Sequence, residues 1–131
     1  MRSAFIRVVA AALLAGAACA HPSPGARPID RNLLTQEQLS VHHYNSVYDA
    51  VAELRSNWLL TRGPDSFSNP SEVKVYYDNT PMGGVEALKD IQTSSIVYLK
   101  HFDGPSATSR WGIGHAAGVI YVSTHPLTGD P

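Results

Sequence analysis

His42 and His43, followed by His101, His115 and His125, are the residues that first invite chemistry, because imidazole is a common metal ligand. A zinc site needs three or four ligands converging on one point, with local spacing that brings them together. Only the adjacent pair is local here, and sequence neighbours rarely chelate one ion, so solvated or packed histidines are the expectation and no metal ligand is assigned. A nucleophile and base can be drawn from Ser106, His115 and Asp103. No Gly-x-Ser-x-Gly elbow supports them, however, and Glu53, Glu72, Glu86 and Asp90 form no pair. Gly112-x-Gly114 lacks the Lys-Ser/Thr of a phosphate loop, and its second glycine suits a chain turning into a strand. Trp58, Trp111, Tyr76 and Tyr121 read as core or half-buried sheet residues rather than a ligand cage. The chain is therefore expected not to be an enzyme, with no catalytic residue and no cofactor.

The elements that must position these residues follow from pattern. Thr35-Gln-Glu-Gln38 fits a capping box and predicts a helical turn from Gln36 to about Val41. Ser46 opens a better helix, with Val47, Ala50, Val51 and Leu54 on one stripe. Arg62 to Pro70 reads as a surface loop. Glu72 to Tyr77 is a strand by its β-branched and aromatic content, with Val73, Val75 and Tyr77 on one face. A turn at Asp78-Asn-Thr-Pro81 leads to a short strand ending at Gly83-Gly84, then one helical turn at Val85 to Asp90. Ser95 to Phe102 alternates Ile96, Tyr98, Lys100 against Val97, Leu99, His101. Pro105 to Trp111 reads as a short helix with Pro105 at its first position, and Ala117 to Thr124 is a third strand. Helices interleaved with strands predict an α+β domain, a small mixed sheet with short helices packed on it.

The 131 residues, 44% hydrophobic and 16% charged, suit one small domain. Arg2 and Arg7 with the apolar run Val8 to Ala18 predict a signal peptide over residues 1–20. Ala18-Cys-Ala20 offers a small-x-small cleavage site. Gly16-Ala-Ala-Cys19 also resembles a bacterial lipoprotein signal, which makes Cys19, the single cysteine, a candidate lipidated residue. Taking Arg2 and Arg7 from the ten basic residues leaves eight against eleven acidic, a net charge of −3, which gives no electrostatic footprint for nucleic acid. Residues 21–34 read as a proline-rich tether, 35–125 as the folded domain and 126–131 as a tail. Export to the periplasm or outer membrane is expected, lipid-anchored if Cys19 is modified.

Several segments resemble, in order, the plug domain of TonB-dependent outer-membrane receptors. Tyr48-Asp-Ala-Val51 is similar to that family's first helix, Val73-Lys-Val-Tyr-Tyr-Asp78 to its first strand and turn, and Leu88-Lys-Asp-Ile91 to the short helix before the next strand. Asp103-Gly-Pro-Ser-Ala-Thr-Ser-Arg-Trp-Gly112 resembles the plug's Gly-Pro helix, and Gly114-His-Ala-Ala-Gly-Val-Ile120 its glycine-rich return. The resemblance covers about residues 46 to 124 and rests on Asp78, Gly104, Pro105, Ser106, Ala107, Gly112, Gly114 and Gly118. Asn79 stands where the family usually has glycine, and asparagine tolerates the left-handed conformation there. No barrel is expected to follow, and no energy-coupling box is recognisable in residues 21–45.

The resemblance implies a plug-like fold and a non-catalytic docking or binding module of the cell envelope, its partner an envelope protein such as a barrel or transport component. Exposed sheet edges would supply the contact. The alternative is a periplasmic small-ligand or metal binder using His101 and His115 or the aromatics. Intact mass of the mature protein from its native host separates the two processing routes, since a diacylglyceryl group on Cys19 and cleavage after Ala20 leave products of grossly different mass.

Overall fold

In the computed structural model, residues 30–61 and 71–127 are described. The expected signal peptide, Cys19, most of the tether, the 62–70 loop and the last four residues lie outside them. Five strands form one mixed sheet: β1 (Leu33–Thr35), β2 (Lys74–Tyr77), β3 (Thr80–Gly83), β4 (Tyr98–Phe102) and β5 (Val119–Ser123). Their order is β1-β4-β5-β2-β3, with β2 and β5 parallel and every other neighbouring pair antiparallel. The α+β expectation holds.

Helices α1 (Gln36–Ser40), α2 (Val47–Leu54) and α3 (Gly104–Trp111) are short, and 3-10 turns cover Ser56–Leu59, Val85–Asp90 and Thr93–Ser95. α2 starts where Ser46 Oγ accepts the Asp49 N–H at 3.2 Å, satisfying one of the free donors of the first turn. Its stripe of Val47, Ala50 and Val51 is fully buried. Together with Trp58 and Leu88 from the 3-10 turns, it packs on Leu34, Val75, Leu99, Ile120 and Val122 of the sheet. Each large side chain buried in this way contributes about 1.5–3 kcal/mol, so this single layer carries most of the fold's stability.

Several features differ from the sequence expectation, among them the start of β4, which is Tyr98 rather than Ser95 because Thr93–Ser95 forms a 3-10 turn. The folded unit begins before residue 35: Leu33 and Leu34 belong to β1, and Leu34 is buried. A three-residue strand is too short to show alternation, and only its register with β4 defines it. Thr80 and Pro81 open β3 rather than complete a turn, because Asp78 and Asn79 alone make the two-residue hairpin connection. The left-handed residue of that turn is Asp78 (φ 52°), not Asn79. Aspartate, like asparagine, tolerates this region through local hydrogen bonding.

Two glycines set how the chain re-enters the sheet after α3. A Cβ at Gly104 would overlap the backbone carbonyl of Ala116, and one at Gly118 would stand 2.8 Å from the Phe102 carbonyl oxygen with φ at +101°. Neither neighbour is a side chain that can swing away. Gly104→Ala is therefore expected to destabilise the domain by about 2–3 kcal/mol, the scale of a forced backbone shift. A urea titration compared with the exposed control Ser109→Ala measures it.

Candidate functional site

The segment from Asp103 to Val119 builds the site. Asp103 caps α3 by accepting the Ser106 N–H at 3.0 Å, and Pro105 sits in the first turn, where no backbone donor is required. Hydrogen bonds from the Ser106 hydroxyl and N–H hold the Asp103 carboxyl below its ordinary pKa. Ala107 is buried beneath the helix, while Pro105 and Ser106 face solvent. Gly112 ends the helix at positive φ, its N–H bonding Thr108 O at 2.8 Å. His115 Nδ1 lies 3.0 Å from the Gly112 carbonyl. A carbonyl can only accept, so Nδ1 carries a proton. In the neutral ring Nε2 then accepts from the Tyr76 hydroxyl, 2.9 Å away.

This return lays an aromatic bed on the sheet face opposite α2. Tyr76 of β2, Tyr121 of β5 and Lys100 of β4 lie side by side in register, flanked by the pairs Phe102–Val119 and Tyr98–Ser123. Trp111 stacks on Tyr76 with ring centres 5.1 Å apart and meets Phe102 edge-on at 5.0 Å. The Arg110 guanidinium lies 4.9 Å from the Trp111 ring, 5.5 Å from Phe102 and 5.7 Å from Tyr121. Lys100 Nζ is 5.2 Å from the Phe102 ring. Burial, followed by the neighbouring Tyr98 and Asp78, pushes the Tyr121 phenol's pKa up against the opposing pull of Arg110, so it stays a protonated donor at neutral pH. Beyond Trp111, Ile113 projects from the Gly112–Gly114 turn and is 99% exposed.

Asp78 sits at one margin of this face and acts as a latch. It accepts from Thr124 N at 3.0 Å, Thr124 Oγ1 at 2.9 Å and Ser123 Oγ at 3.4 Å, tying the β2–β3 turn to the end of β5. Burial alone would push its carboxyl up. The Thr124 hydrogen bonds, the nearby His125 and the Ser123 hydroxyl outweigh that and bring it below its ordinary value.

Other residues of chemical interest are kept apart. His101 faces the α2 side and stacks on Trp58 at 5.4 Å, so it and His115 occupy opposite faces of the sheet. Both His115 ring nitrogens are engaged away from Ser106, so Ser106, His115 and Asp103 form no relay. Among the described residues no three His, Cys, Asp or Glu side chains converge as a metal site. An open groove of about 460 Å³ runs past His42, His43 and Tyr44. There the Tyr44 phenol, its pKa raised by burial and then by the Glu53 charge, lacks a partner in hydrogen-bonding geometry.

The sheet edges are also blunted. On β1 the outward Leu33 N–H donates to Asp30 O at 3.2 Å and the Thr35 N–H to Gln38 Oε1 at 3.1 Å, the latter being half of the capping box. On β3, Pro81 has no N–H to offer and the pairing with β2 is bulged. The expected open edges are thus largely closed, and the open surface is a face. Sequence reading missed Arg110, Lys100, Phe102 and Ile113 as parts of a site. The available signal was the same-face run Tyr98, Lys100, Phe102 in β4. No family model, curated protein or solved structure matches the chain.

The Asp78 latch has a definite pH signature. A depressed carboxyl contributes stability that is present above its unfolded pKa, about 3.9, and lost as pH falls through the lower folded value. Asp78→Asn, which keeps the left-handed preference and removes the charge, is expected to cost about 1 kcal/mol at neutral pH, allowing for solvent screening. Chemical denaturation from pH 7 down to acid should show the gap from wild type closing below about pH 4.

Proposed function

We propose that this domain is a non-catalytic, plug-like docking module of the bacterial cell envelope. The observation that carries the reading is Ile113, fully exposed on a turn that leaves the Tyr76–Trp111–Tyr121 bed. A solitary exposed apolar residue needs no explanation. Ile113 is different in its placement, between two glycines of positive φ and next to an aromatic face that α3 covers only in part. Burying it against a partner is worth about 1.5–3 kcal/mol. Contact through this face also fits the closed edges, which leave little backbone for an added strand.

The alternative, a binder of a small ligand, draws on the convergence of Tyr76, Trp111 and His115. Trp111 is already in ring contact with Tyr76, Phe102, Tyr121 and His115, so little bare ring is left for a stacking ligand.

A photo-crosslinking residue at position 113 of the full chain, expressed in its native host, is expected to give a discrete protein adduct. The same residue at position 53 on α2 should give none. Ile113→Asp should leave stability within about 0.5 kcal/mol of wild type while abolishing co-purification of the partner trapped at 113. Absence of an adduct at 113, in a chain that is monomeric in solution, overturns the docking reading.

A further inference from the structure

We infer that the cleft between Asn32, Asn57 and Asp103 binds a neutral polyhydroxylated ligand, a pyranose ring with neighbouring hydroxyl groups. The inference does not depend on the docking reading, because Tyr76, Trp111, Tyr121 and Ile113 form none of the cleft's walls.

The cleft holds about 300 Å³ where the start of β1, the Ser56–Leu59 turn, the β4–α3 junction and the return to β5 meet. His101 is one wall, held in place by its stack on Trp58 at 5.4 Å. Its N–H donates to the Asn32 carbonyl at 2.8 Å, which sets Asn32 beside it. Asn57 reaches the cleft from the 3-10 turn that also carries Trp58. Asp103 follows His101 by two residues, on the same side of the extended chain, and caps α3. The backbone contact of Gly104 with Ala116 closes the remaining side, bringing Ala116 and Ala117 against the cap.

The bonding capacity of these groups selects the ligand. Among the described residues neither the Asn32 nor the Asn57 carboxamide has a hydrogen-bond partner. Asp103 Oδ1 accepts the Ser106 N–H at 3.0 Å, and an ionised carboxylate has about four lone-pair sites, so acceptor capacity remains. The cleft therefore offers two amides that donate and accept, and one carboxylate that only accepts. A hydroxyl does both, so adjacent hydroxyls of one ring can donate to Asp103 while accepting from an asparagine N–H. Leu60, Ala116 and Ala117 supply apolar surface for the ring's C–H groups. The volume is at the lower end of ligand pockets, which run from roughly 300 to 1,000 Å³, so it suits a single ring.

Charge excludes the other small ligands. An anion would face Asp103 with no lysine or arginine among the described walls to hold it. The Asp103 charge is already offset by Ser106 and the free N–H groups of the first turn of α3, so a simple cation gains little. Calcium takes about six to eight oxygen ligands, and this cleft has one carboxylate.

The test titrates d-glucose, d-galactose and d-mannose into the isotopically labelled full chain while the side-chain NH₂ signals of Asn32 and Asn57 are followed. Cyclohexanol and calcium chloride are the controls. At least one hexose is expected to shift both signals saturably, and neither control to shift them. Asn57→Ala should weaken that hexose about three- to tenfold, with the rest of the spectrum unchanged. Asp103→Asn, which keeps a good helix cap, should weaken it about tenfold or more. The methyl glycoside of the same hexose separates two sources of this chemistry. Equal affinity marks the terminal unit of a glycan, and lost affinity marks a free sugar. The inference is overturned if no hexose shifts both signals or if cyclohexanol shifts them equally. It is also overturned if calcium chloride alone shifts them, or if Asn57→Ala and Asp103→Asn bind as wild type. Hexose binding without an adduct at position 113 leaves this site standing while docking falls, and the reverse result does the opposite.

Discussion

The return from α3 to β5 depends on backbone meeting backbone. The Ala116 carbonyl occupies the space a side chain at residue 104 would need, and residue 118 crosses the Phe102 carbonyl at positive φ. Because neither contact has a movable side chain, the path of the chain is narrowly set there. That path delivers Val119 opposite Phe102 and so fixes the β4–β5 register. β5 is the strand on which the rest converges, paired antiparallel with β4 on one side and parallel with β2 on the other. Moving the return by one residue would exchange the two faces of β5, placing Tyr121 in the core and Val122 outside it.

The two faces of β5 explain the division between stability and function. Ile120 and Val122 point into the layer closed by α2, Trp58 and Leu88. Val119, Tyr121 and Ser123 point the other way. There α3 is only eight residues long, and Tyr76, Lys100, Phe102 and Tyr121 are left half-buried. The aromatic rings on that side hold the cations in place as well as each other. The proposed contact surface is thus a by-product of an incomplete second layer, and its rigidity comes from the same return that defines the strand order.

The closed edges give the proposed function its form. An edge strand with free donors is a hazard as well as an opportunity, since it pairs with any extended chain. In β1 both outward N–H groups are satisfied locally, and in β3 a proline removes one. Side-chain recognition on a face is the more selective route, because charge and shape must match at once.

Much of the fold was legible in the residues: the α2 stripe, three of the strands, the α3 helix with its proline, and the glycines needed where the chain bends. These are local matters of period, capping and φ, which the sequence determines by itself. β1 was hidden because three residues carry no period, and the left-handed role went to Asp78, whose carboxylate has partners at and just beyond the end of β5 that sequence distance conceals. The site was less legible. Which face of each strand looks outward, that His101 and His115 stand on opposite sides, and that Arg110 comes to rest over rings from α3, β4 and β5 are matters of register between distant segments. Only tertiary structure decides them, since a one-residue slip reverses every assignment without changing any local preference.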